Sequence, residues 1–179
     1  MKKIIIALPA LSMALAFNAS AQTVAPSFYT EVGYASVPYH DSGYNLGTLG
    51  VLNFKFGINV HENFAVEGAL GTGMQDASFY YGSTRVTTTL NNMYGIYAKP
   101  KVKIADNFEV FGRLGYTHIN MNLSALSSTF NAYSGSLSYG LGAQYSFTKS
   151  VYGELDWMSY YSKNGASGKG PSINVGYKF

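Results

Sequence analysis

The 179-residue chain carries 12 Lys and Arg against 9 Asp and Glu, a formal charge of +3, and has no basic stripe, which excludes the electrostatic footprint of a nucleic-acid binder. It contains no Cys, which excludes disulfides, thiol lipidation and Cys-ligated metal. Charged residues make up only 12%, about half the roughly 25% of a soluble domain, and Gly (20), Tyr (16) and Phe (11) stand in their place.

At the start of the chain, Lys2 and Lys3 precede a mostly apolar run from Ile4 to Phe17, and Ala19-Ser20-Ala21 follows. The small residues suit a signal peptidase. The run is shorter than the ~20 residues of a spanning helix, and Pro9 and Ser12 interrupt it. Residues 1–21 are therefore expected to be a cleavable export signal, and residues 22–179 a single domain. Loss of Lys2 and Lys3 with the signal lowers the formal charge from +3 to +1.

From there the chain alternates between apolar and polar residues with a period of two, the mark of strands. The expected runs are 28–36, 49–60, 64–72, 89–104, 108–119, 134–147, 151–160 and 172–179. Short connections of about three residues (His61 to Asn63, Ala105 to Asn107, Thr148 to Ser150) alternate with four long ones: "PYHDSGYNLGT", "GMQDASFYYGSTRVTT", "NMNLSALSSTFNAY" and "SKNGASGKGP". One phrase recurs across the short turns, as "NFAVEGALGT" from Asn63, "NFEVFGRLGY" from Asn107 and, more weakly, "SVYGELDWMS" from Ser150. Its period is two strands plus one long connection, so it is an architectural repeat of antiparallel hairpins.

The parity of the alternation decides which face meets water. One face holds Phe54, Val66, Ile96, Leu114, Leu141, Trp157 and Ile173 and no charge, while the other holds every strand charge, Glu31 and Lys178 included. A soluble eight-stranded carrier of the lipocalin type would present the charged face to solvent. Strand six, however, offers Ser136, Ser138, Gly140, Gly142, Gln144 and Ser146 on that face. Such small residues suit the interior of an eight-stranded barrel, which is only just wide enough for its side chains, and leave room for Tyr97, Phe111 or Tyr152. The apolar face then meets lipid, where only a closed barrel satisfies every strand. The expected fold is an all-β, eight-stranded antiparallel up-and-down transmembrane β-barrel with short periplasmic turns.

Phe28, Phe64, Phe108, Phe147 and Phe179 fall at the short-turn end, and Tyr34, Tyr94, Tyr116 and Trp157 toward the long connections, as two interfacial girdles require. Pro100 is expected to sit at a bulge, because a closed barrel has no edge on which a missing N–H is harmless. The inward charges Lys55, Glu67, Lys99, Lys101, Glu109, Arg113, Glu154 and Asp156 are expected to neutralise one another in a filled lumen, since a buried unpaired charge is costly. The competing reading is a narrow porin-like path for ions or small solutes, in which Lys99, Lys101 and Lys103 would favour anions.

Three segments, "GINVHENFAVEGALG", "KVKIADNFEVFGRLGYTH" and the ending "INVGYKF", make the mature chain resemble the OmpA/OmpX-type small outer-membrane β-barrel family. The resemblance implies the outer membrane of a Gram-negative bacterium. It also implies that Ile173, Val175, Tyr177 and Phe179 form a C-terminal assembly signal read by the barrel-assembly machinery. Two-domain members of that family bind peptidoglycan through a further module, and this is not expected here. Some small barrels of this membrane are lipid A deacylases with His and Ser two residues apart. His118 is followed two residues later by Asn120, and His40 and His61 have no ligand spacing with it, so no catalytic, cofactor or metal residues are expected.

The long connections are rich in Ser, Gly, Asn, Thr and Tyr, a mixture found in adaptable recognition surfaces. The reading is a non-enzymatic, monomeric barrel contributing to envelope integrity or to surface interaction such as adhesion through four extracellular loops. Its partners would be outer-membrane lipid and lipopolysaccharide, whose phosphates Arg85, Lys163 and Lys169 would approach, and a host or surface ligand; no nucleic-acid partner is expected.

Overall fold

The computed structural model describes residues 27–125 and 128–179; the expected export signal lies outside them. Nine strand segments follow one another: β1 (Ser27–Asp41), β2 (Tyr44–His61), β3 (Phe64–Gln75), β4 (Ala77–Tyr81), β5 (Thr84–Ala105), β6 (Phe108–Ala125), β7 (Ser128–Ser146), β8 (Val151–Lys163) and β9 (Ala166–Lys178). Successive strands pair antiparallel except β3 and β4, β9 pairs with β1, and β3 pairs with β5, so the sheet closes into a ring. Both β3 and β4 pair with β5, through Met93–Pro100 and Thr84–Thr88 respectively. They are therefore two pieces of one wall position, parted at Asp76, and the wall has eight positions.

The alternation sorts side chains as the parity reading requires. Leu141 (74% exposed), Ile96 (63%) and Ile173 (60%) point outward, while Glu67 and Ser138 (both 0%) point inward. Gly142 and Gly176 lie directly beneath the Phe111 and Tyr152 rings, and a Cβ at either position would overlap them. The chain closes at the short-turn end, where the Phe179 N–H donates to the Phe28 carbonyl at 2.9 Å.

Two expectations require correction. The long connections are not loops: strands run through them to two-residue turns at Ser42–Gly43, Gly82–Ser83 and Asn164–Gly165, while residues 126–127 lie outside the described residues. Positive φ at both Ser42 (50°) and Gly43 (85°), and at both Asn164 (52°) and Gly165 (85°), is what a type I′ hairpin demands. Strands of 15 to 22 residues such as β1 and β5 far exceed the roughly 9–11 that span a bilayer, so the hairpins stand out beyond it. The second correction concerns Pro100. Lys99 and Pro100 drop out of the β5–β6 ladder, but the register is the same on both sides, from Ala98↔Leu114 to Lys101↔Phe111. No bulge forms, because the Lys101 N–H still donates to the Asn63 carbonyl (2.9 Å) and the missing donor falls on the β6 side, opposite Gly112.

Candidate functional site: a filled lumen and a protruding rim

Arg113 on β6 is the hub of the lumen. Its Nε is 2.5 Å from Glu67, its Nη1 2.5 Å from Asp156, and its Nη2 2.9 Å from Glu154 and 3.4 Å from Glu31. Lys55 reaches Glu31 and Glu154 at 3.1 Å and Asp156 at 3.3 Å. Lys99 reaches Glu154 at 2.8 Å, Glu67 at 3.0 Å and Glu31 at 3.3 Å, and lies 4.3 Å from the Phe111 ring centre. Tyr29 donates to Glu67 (2.6 Å), Tyr152 to Glu31 (2.9 Å) and Ser172 to Asp156 (2.6 Å).

Glu31, an inward charge not anticipated in this set, is thus a full member of the network; its parity was the available signal. Lys101 and Glu109 are not members. They form their own pair at 3.4 Å, closer to the short turns and partly exposed. The belt therefore holds four carboxylates and three cations, with side chains at most 7% exposed.

Toward the protruding end, the lumen is closed by an apolar layer that includes Val37, Leu49, Val51, Met93, Ile119 and Met121. A cavity of about 30 Å³ remains within it, room for little more than one water, and apolar walls keep such a space dry. The alternation could not show this layer, since apolar residues there occupy the inward face as well.

On the outside, His118 packs between Tyr94 and Tyr133, with ring centres 5.1 and 5.7 Å away, and tilts against Tyr116. The hydroxyls of Tyr94 and Tyr133 meet. The ring is thus part of an interfacial aromatic cluster. Ile173, Val175, Tyr177 and Phe179, the expected assembly signal, all face outward and are exposed.

One unpaired strand edge of the rim lies on β7. β7 pairs with β6 over its whole length, from Ser128 to Tyr145, but with β8 only from Tyr139 to Ser146. Above that, the Ser162 N–H donates to Ser136 Oγ (3.1 Å) and Tyr161 to Ser134 Oγ (3.2 Å). Residues Ser128 to Tyr133 have no strand on that side. Tyr44 (75% exposed), Tyr80 (72%) and Phe130 (69%) stand around this rim.

Residues 6–179 match the family model described as "Outer membrane protein beta-barrel domain". Among curated proteins, the chain is 25% identical over 150 residues to the attachment invasion locus protein of Yersinia enterocolitica, covering 83% of each. Among solved structures it resembles Ail of Yersinia pestis in complex with the heparin analogue sucrose octasulfate, with a TM-score of 0.66, 18% identity and coverage of 86% of this chain and 99% of that one. Neisserial surface protein A gives a TM-score of 0.60 at 14% identity, covering 87% of this chain and 98% of that one. The family model spans nearly the whole sequence, and the chain belongs to the outer membrane protein β-barrel domain family, as an integral barrel of the Gram-negative outer membrane.

Proposed function

We propose that this barrel is non-enzymatic and acts at the cell surface, through its protruding hairpins, in adhesion-type contacts and in envelope integrity. The observation that carries this is the division of the molecule: a lumen belt whose side chains are at most 7% exposed, against a rim with an unpaired strand side and exposed aromatic residues. Unpaired strand backbone and exposed aromatics are what an extended protein segment can dock on. The name of the Yersinia enterocolitica relative, an attachment invasion locus protein, and the heparin analogue on its Yersinia pestis counterpart support a host or matrix surface as the partner. Residues 1–21 act as the cleavable export signal, Ile173, Val175, Tyr177 and Phe179 as the signal to the assembly machinery, and the mature barrel as a monomer. Arg85, Lys163 and Lys169 lie on the outward half and contact lipopolysaccharide.

The test is replacement of residues 39–47, 77–88, 122–132 and 162–168 by short Gly and Ser connectors. The barrel should remain heat-modifiable on gels, and binding of expressing cells to host cells or matrix should disappear. Binding that survives all four replacements would remove the proposal.

A further inference from the structure

We propose that the lipid-facing wall from β5 to β9 carries a groove for one phosphorylated, acylated glycolipid of the outer leaflet. Its phosphate would sit at Ser159 and Lys169, and one acyl chain would lie over Pro100 and Gly112. This deepens the lipopolysaccharide contact proposed above and rests on it.

The groove follows from two adjacent rows of ladder partners. In the lower row Gly112 pairs with Leu141, Leu141 with Trp157 and Trp157 with Pro171; in the upper row Leu114 pairs with Tyr139, Tyr139 with Ser159 and Ser159 with Lys169. Gly112 puts no side chain on the outer surface between Pro100 and Leu141, so the wall is notched there. The resulting groove of about 790 Å³ runs from Pro100 and Gly112, past Leu141 and Trp157, to Ser159 and Lys169.

Its upper end is polar in a way the wall itself does not use. Ser159 is only 4% exposed, and its Oγ has no hydrogen-bond partner, although buried hydroxyls normally have one. The backbone carbonyl of the same residue is occupied, accepting from Ser138 Oγ at 2.8 Å on the inner side. Lys169, its ladder partner, is exposed and makes no ion pair among the described residues.

Height fits the chemistry. Lys169 lies ten residues before Phe179 on the same closing strand. At about 3.3 Å per residue and a tilt near 40° this is roughly 25 Å, the height of the apolar band. The Lys169 ammonium therefore stands at headgroup level, with Trp157 (59% exposed) and Tyr139 (50%) beside it as interfacial rings. A cation and a buried hydroxyl without a hydrogen-bond partner at the head of an apolar trough match a phosphate joined to acyl chains. The outer leaflet of this membrane supplies that chemistry as glycolipid.

The test uses the mature barrel in phosphatidylcholine nanodiscs doped with hexa-acylated lipid A, its dephosphorylated form or phosphatidylglycerol, and counts lipid retained after extraction by native mass spectrometry. The wild type should retain about one lipid A per barrel, and the dephosphorylated form roughly tenfold less, as loss of a charge-assisted contact predicts. Lys169→Gln should weaken retention to a similar degree and Ser159→Ala less. Gly112→Leu should also lose the lipid, because a Cβ there sits 3.7 Å from both Leu141 and Pro100 and the added side chain fills the trough without pushing the wall. Heat-modifiability confirms that each variant is folded. Equal retention by wild type and variants, or of phosphatidylglycerol and lipid A, would overturn the site. A wild type that retains no lipid A would overturn the lipopolysaccharide contact itself.

Discussion

Arg113 touches four carboxylates inside the barrel, and its position shows what a buried charge requires. Taking a guanidinium out of water is expensive, and only several well-placed partners offset it. Removing it leaves four buried carboxylates with only Lys55 and Lys99 as counter-charges in the belt. Arg113→Ala should therefore destabilise the barrel by about 3–5 kcal/mol, read by urea titration in lipid vesicles. Adding Glu67→Gln, which neutralises the partner nearest to Nε, should restore part of the loss; a double variant as unstable as the sum of the two singles would argue against the coupling. That the seven charges of the belt face inward was legible from the parity of the alternation. The partnerships were not, because Glu31 on β1 and Arg113 on β6 meet across the lumen, and which residues share a level depends on the tilt and stagger of the closed wall.

At the scale of elements, the membrane-spanning halves of the strands were legible and their protruding halves were not. Within lipid one face must be apolar, so the period of two is unmistakable. Above it both faces meet water on one side and a mixed interior on the other, and Ser, Thr, Asn and Tyr carry no contrast. The turn chemistry was the better guide: Asn164–Gly165 between two alternating runs is a strong hairpin signal, and it marks where β8 ends and β9 begins. That last strand also closes the ring, with Phe179 bonded to Phe28. Deleting Phe179 should lower the amount of barrel in outer-membrane fractions and leave precursor in the periplasm or degraded, whereas Lys178→Gln should change little. Normal insertion of the deletion variant, measured by fractionation and immunoblot, would remove Phe179 from the assembly signal.

For the whole molecule, the compartment and the barrel followed from one contrast: an uncharged outward face and a charged, small-residue inward one. The interior was legible only as polar, and its outer layer of Val37, Leu49, Met93 and Met121 adds a second seal above the ionic belt. Together they fill the barrel and leave the rim and the outer wall as the surfaces of the proposed contacts. Single-barrel recording in planar bilayers tests most directly whether the lumen is closed to ions. Purified wild-type barrel should give no steady, large conductance at any applied voltage that the bilayer tolerates. A reproducible ion-selective current, altered in selectivity by Lys101→Glu, would contradict the filled lumen and make the molecule a channel.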